Sequence, residues 1–147
     1  MKLKYKLNSS CKVVKYKPTY HTKGSVCFDL IYSDTWYQTK IEPNETKIIS
    51  TGLSIDFEGK YYGLLYLRSS MAKKGFILAN GVGVIDSDYK GEIKVCLTST
   101  CHNNITLGDR IAQLMVLKVP ERVELEQVEN FDDNLNEERG SFGSTGK

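Results

Sequence analysis

Most of the features that announce a specialised chain are missing from this sequence. No apolar run approaches the roughly 20 residues that cross a bilayer as a helix. The opening residues, MKLKYKLNSS, alternate lysine with apolar residues and lack the continuous apolar stretch of a secretory signal. No membrane partner is expected, and the site of action is expected to be intracellular, cytoplasmic or nuclear. Cysteine is scarce: Cys11, Cys27, Cys96 and Cys101 form no CxxC pair and no zinc-type spacing, and only His21 and His102 are available to join them. Free, mostly buried thiols are expected, with no protein-bound zinc. Acid is absent from residues 2–23, which carry seven lysines, and base is nearly absent from residues 121–138, where Arg122 alone faces eight acids. Such asymmetry can mark a nucleic-acid footprint. Here, however, Lys2, Lys4 and Lys6 alternate with Leu3, Tyr5 and Leu7 as the wet face of a strand does. No aromatic-basic recognition motif accompanies them, so no nucleic-acid partner is expected.

What is present fits one globular domain. At 147 residues, 40% hydrophobic and 26% charged, with net charge +2, the chain is long enough to bury a core without disulfide or metal. Period-two alternation at Leu3-Tyr5-Leu7, Leu53-Ile55-Phe57 and Val123-Leu125 predicts half-buried strands. Solidly apolar or β-branched runs at residues 61–67, 93–97 and 111–119 predict strands buried on both faces. Turn signals fall between them at Pro43-Asn44, Glu58-Gly59-Lys60, residues 88–91, His102-Asn103-Asn104 and Leu107-Gly108-Asp109. The expected fold is all-β, a sandwich or jelly roll. Its one short helix is at residues 69–74, capped by a serine and ended at Gly75. After residue 131 apolar residues nearly vanish, so the domain is expected to span residues 1–131 and a flexible arm residues 132–147.

Four segments can carry chemistry. Arg68-Ser69-Ser70 joins a buried strand to a helix start, where free N–H groups, a guanidinium fork and two hydroxyls suit an anion; a surface arginine beside capping serines is the plainer alternative. Residues 80–94, NGVGVIDSDYKGEIK, put Gly81 and Gly83 inside a strand-like run, either for a ligand to approach the backbone or as a β-bulge. Asp86 and Asp88 flank the turn and have the ordinary option of Asx hydrogen bonds to it. Gln113, alone among the aliphatics of its strand, needs partners from core or ligand. The end, with Arg139, Phe142, Gly143, Ser144 and Thr145, either wraps a phosphate or is a plain flexible terminus.

Taken in this order, the segments resemble the motifs of the homotrimeric dUTP pyrophosphatase family over nearly the whole chain. Val26-Cys27-Phe28-Asp29-Leu30 stands for the first motif, with cysteine in the glycine position. Arg68-Ser69-Ser70 is the second, residues 83–91 the third and residues 108–114 the fourth. Residues 139–146 are the fifth, lacking two glycines between the arginine-glycine pair and Phe142. The resemblance implies a jelly-roll-like β barrel assembled as a homotrimer, with active sites shared among chains. It also implies hydrolysis of dUTP to dUMP and pyrophosphate.

The resemblance implies that the main chain of a hairpin at residues 80–94, through Asn80, Gly83, Val84 and Ile85 and again near Lys94, would pair with uracil. By the same resemblance Tyr89 would pack under the deoxyribose and exclude a 2'-hydroxyl, and Phe142 would cover the base. Asp86 would hold the attacking water at the α-phosphorus. Arg68, Ser69, Ser70, Gln113, Arg139, Ser144 and Thr145 neutralise the phosphates, with Gly143 in the closing arm. Mg2+ is held mainly by the triphosphate, Asp29 reaching it through water. A dCTP deaminase shares the Arg-Ser-Ser segment but lacks the Asp-Ser-Asp-Tyr hairpin and the tail. A non-catalytic trimeric nucleotide-binding module of the same fold is the alternative from another class.

Overall fold

The computed structural model describes residues 2–9, 11–13 and 16–130, so the expected arm at residues 132–147 lies outside the described residues. In chain order the elements are β1 (Lys4–Leu7), β2 (Cys27–Ile31), β3 (Gln38–Ile41), β4 (Thr46–Ser50), β5 (Leu53–Asp56), β6 (Tyr61–Leu67), α1 (Ser69–Lys73), β7 (Phe76–Leu78), β8 (Gly83–Ile85), β9 (Lys94–Ser99), β10 (Asn103–Thr106) and β11 (Arg110–Lys118). They form a four-stranded sheet in the order β2-β11-β6-β8, a three-stranded sheet β4-β9-β7, and the pairs β1-β5 and β10-β3. Every pairing of these strands is antiparallel. The described residues form the expected all-β, jelly-roll-like fold with one short helix.

The sheets close over a core that includes Leu30, Leu53, Leu65, Leu97, Ile111 and Leu114, each no more than 2% exposed. Turn chemistry read from the sequence is realised locally. Asn44 and Glu58 adopt positive φ at two of the expected turns, a conformation that non-glycine residues visit rarely outside turns. β11 is the central strand, hydrogen-bonded to β2 on one side and β6 on the other.

Several expectations need correction. The runs at 61–67, 93–97 and 111–119 are not buried on both faces. In β6 and β11, Gly63, Leu65, Ala112 and Leu114 are buried, while Tyr62, Leu64, Tyr66, Met115 and Leu117 stay partly exposed. Conversely β5, expected to be half-buried, has Leu53, Ser54 and Ile55 all buried, so side chains on both of its faces are covered. Val123 and Leu125 form no strand: they are 81% and 92% exposed, since no described strand lies beside them to accept their alternation. The helix cap also differs. Arg68, not a serine, is the N-cap, in extended conformation and without a side-chain cap bond, so Ser69 and Ser70 occupy the first turn with their hydroxyls in solvent.

Candidate active site

Pairing β2, β11 and β6 side by side gathers the first, second and fourth motifs at one end of a sheet face. Gln113 stands opposite Asp29 on one side and Tyr66 on the other, and β6 delivers Arg68 one residue beyond its end. The result is an open cleft of about 580 Å³ whose lining includes Asp29, Arg68, Gln113, Tyr66 and Cys27. Asp29 organises it. Its Oδ1 accepts Arg68 Nε at 2.8 Å and its Oδ2 accepts His21 Nε2 at 2.6 Å, while Arg110 Nη1 stands 3.4 Å from the same oxygen. Arg110 Nη1 is also 3.1 Å from His21 Nε2. One ring nitrogen cannot donate to Asp29 and accept from Arg110 at once, and the shorter contact decides for Asp29. One carboxylate among two guanidiniums leaves the cleft net positive, as an anion requires.

Behind the carboxylate, Tyr16 Oη donates to the Asp29 carbonyl at 2.7 Å. Burial first, then the neighbouring Cys11 and Asp29, hold the Tyr16 phenol well above its usual range, so it remains a donor. Burial and then Asp29 also raise the Cys27 thiol. Gln113 Nε2 has only a long contact, 3.4 Å, to the Leu67 carbonyl, which leaves its amide turned to the cleft. Tyr16, His21 and Arg110 are functional candidates missed as site residues. Arg110 sat inside a recognised motif, whereas Tyr16 and His21 belong to an irregular segment with no pattern to reveal them.

The second set sits at the opposite end of the same sheet face. Residues 80–94 do not form the expected hairpin ladder. Their first arm, β8, pairs with β6, and their second, β9, is sandwiched between β4 and β7. Along this segment Asn80, Val84, Asp86, Tyr89 and Lys94 are exposed, and β8 is an edge strand with no described partner on its outer side. Its glycines have local causes. Gly81 has φ +68° and open space around it, and a Cβ on Gly83 would lie 3.1 Å from Leu65 Cβ. Backbone conformation and strand packing explain them without a ligand. Asp86 closes the turn with its carbonyl, which accepts Tyr89 N at 3.1 Å. Its carboxylate makes no Asx bond and faces a cleft of about 500 Å³ with Tyr62, Val84 and Arg122.

Asp86 and Arg68 therefore lie apart. Ile85 is opposite Gly63, so Asp86 adjoins Tyr62, and Arg68 is six residues further along β6, about 20 Å at 3.3 Å per residue. Leu64, Met115, Leu117 and Val84 fill the face between them. Arg139, Phe142, Gly143, Ser144 and Thr145 lie outside the described residues.

Known proteins give the constellation its context. The sequence is 41% identical to the deoxyuridine 5'-triphosphate nucleotidohydrolase of Nautilia profundicola, with 100% of both chains covered. The fold is that of solved phage dUTPases. One from Staphylococcus bacteriophage 80alpha, with dUpNHpp, has a TM-score of 0.80 at 24% identity, covering 99% of this chain and 98% of that one. One from phage phi11 of S. aureus has a TM-score of 0.75 at 21% identity, covering 89% and 99%. The sequence model of the family described as dUTPase matches residues 15–146, and the chain belongs to that family.

Proposed function

We propose that this protein is a dUTP diphosphatase, which hydrolyses dUTP to dUMP and pyrophosphate. The observation that carries the reading is the sheet face with a cationic cleft at one end and an exposed turn carboxylate beside an edge strand at the other. Uracil presents acceptor, donor and acceptor along O2, N3–H and O4. The free edge of β8, from Gly83 through Val84 to Ile85, with Asn80 before it and Lys94 across the gap, supplies main-chain groups able to pair with that edge as another strand would. Cytosine reverses two of the three and leaves buried groups unpaired. Tyr89 serves the sugar. Asp86 holds the water in line with the α-phosphorus, and since aspartate is a weak base, positioning supplies much of the rate. Arg68, Ser69, Ser70 and Gln113 bind phosphate oxygens, joined by Arg139, Ser144 and Thr145 while Phe142 and Gly143 close over the base. An intracellular site of action accompanies a nucleoside triphosphate substrate.

Asp86 and Arg68 cannot serve one phosphate from a single chain when about 20 Å of strand separates them. A homotrimer with shared sites resolves this, the carboxylate of one copy meeting the cleft of another. Two further features support it: the partly exposed apolar band between the two ends, and Val123 and Leu125 standing in water. Mg2+ belongs to the same reading. The phage phi11 structure concerns coordination of a structural Mg(II) ion. Here both Asp29 oxygens are engaged by Arg68 and His21, which favours contact with the ion through water, the triphosphate supplying most ligands. Bound there, the ion supplies charge neutralisation on the phosphates.

Pyrophosphate release from dUTP, UTP, dTTP and dCTP with Mg2+, for wild type and Asp86→Asn, tests the proposal. Turnover confined to dUTP and a loss of about 100-fold or more in the variant is expected. Ammonia release from dCTP points to a deaminase, and dUTP binding without turnover points to the regulatory module. Removal of residues 139–147 is expected to abolish turnover while leaving folding intact.

A further inference from the structure

Tyr89 is not free to swing. Its hydroxyl donates to the Glu92 carbonyl at 2.8 Å, and its ring folds back over Gly91. A Cβ on Gly91 would lie 2.6 Å from Tyr89 Oη and 2.7 Å from Cζ, so no other residue at 91 permits this ring position. The ring therefore hangs from Glu92, and what fixes Glu92 fixes the ring. Glu92 is held by its own side chain: Oε1 accepts the Gly52 N–H at 2.8 Å. Gly52 is a rigid anchor at the corner between β4 and β5. It has φ +68°, and a Cβ there would lie 2.6 Å from Cys11 Cβ. Its carbonyl also accepts Asn8 N at 2.8 Å. The neighbouring residue continues the dock, Ile93 N donating to the Leu53 carbonyl at 2.8 Å and Thr51 Oγ1 to the Ile93 carbonyl at 2.5 Å.

From this chain of contacts we infer that Glu92 is a positioning residue for sugar selection. Its carboxylate pins the returning arm of the loop to Gly52 and so sets the height of the Tyr89 ring against the nucleotide's ribose face. The inference rests on the dUTP reading above and deepens it. Gly52 is buried, so loss of the acceptor strands an N–H, and the arm must shift to rehydrate it. A shift of a few tenths of an ångström at Glu92 is passed directly to the ring. The difference between hydrogen and hydroxyl at the 2' carbon is a steric one, which such a shift relaxes, whereas Asp86 and the phosphate cleft are untouched.

The experiment compares kcat/KM for dUTP and UTP in wild type, Glu92→Ala, Glu92→Asp, Glu92→Gln and Gly91→Ala. The wild-type preference for dUTP is expected to fall about tenfold in Glu92→Ala, in Glu92→Asp, which is one methylene too short, and in Gly91→Ala, which displaces the ring directly. Glu92→Gln keeps an acceptor oxygen at the same reach and is expected to hold the preference within about threefold. An unmoved ratio in folded Glu92→Ala overturns the inference, even where both substrates slow together, because that is the mark of a merely structural role. Where Glu92→Ala does not fold, Glu92→Asp decides by the same criterion. Wild type that leaves dUTP intact overturns the functional reading itself. Wild type that discriminates while the variants discriminate equally well overturns only the role of Glu92.

Discussion

Mixing two inactive variants tests the division of the site between chains. Arg68→Ala removes the guanidinium that Asp29 Oδ1 holds at 2.8 Å, and Asp86→Asn removes the carboxylate at the far end of the sheet face. Each alone is expected to lower turnover about 100-fold or more. The two positions are about 20 Å apart along β6, several times the reach from a water to a phosphate oxygen, so under the proposed function the working pair comes from different copies. In assemblies formed at random from equal amounts of the two variants, a site is intact when the copy supplying the cleft carries Asp86→Asn and the copy supplying the turn carries Arg68→Ala. Each condition holds half the time, so about one site in four is whole, and about 25% of wild-type turnover is expected to return. The assay is pyrophosphate release after the denatured variants are refolded together, with native mass spectrometry to count mixed assemblies. Mixed assemblies no more active than either parent would refute the reasoning, since a site built within one chain leaves every chain with one lesion.

Leu114 is fully buried on the central strand, and Leu114→Ala is expected to cost about 3 kcal/mol in urea unfolding. The Tyr16 phenol is raised in the folded protein, so its share of stability is complete below the unfolded value near 10 and is lost as pH climbs toward the higher folded value. Stability is expected to fall above about pH 10, and Tyr16→Phe to flatten that decline while costing about 1 kcal/mol at pH 7 through the lost bond to Asp29. The Cys27 thiol, raised by burial and then by Asp29, adds a decline of the same sign at alkaline pH.

Local chemistry was the legible part. The turns at Asn44 and Glu58, the glycine after the helix and the strand character of residues 61–67 and 111–118 follow from backbone preferences that act over a few residues. Arg68, Gln113 and Asp29 could be named from the motifs that carry them, but not the fact that β11 lies between β2 and β6 and brings the three together, because strand order is set by pairings between distant residues. Burial failed for the same reason. Leu64 and Met115 look like core in sequence, yet they share the outward face with Gln113, and period-two alternation fixes which residues share a face without saying what covers it. His21 had no signal at all: a lone histidine in an irregular segment acquires meaning only when the fold sets it 2.6 Å from Asp29.

That uncovered face joins fold to function. A folded chain gains little by leaving Leu64, Met115, Leu117 and Val84 partly or largely exposed between two polar clusters, and patches of this kind mark surfaces that bind. The polar clusters at its ends give a second reason for contact, because each is chemically incomplete: the cleft has cations and an amide but no carboxylate free to hold water, and the turn has a free carboxylate with Arg122 in its cleft but neither the Arg68 guanidinium nor the Gln113 amide. Burying the band in an interface between copies would remove the solvent cost and bring complementary ends together in one step. Assembly and catalysis would then depend on the same surface, so a charge placed at Leu64, which lines neither cleft, should abolish turnover without touching any residue that meets the substrate.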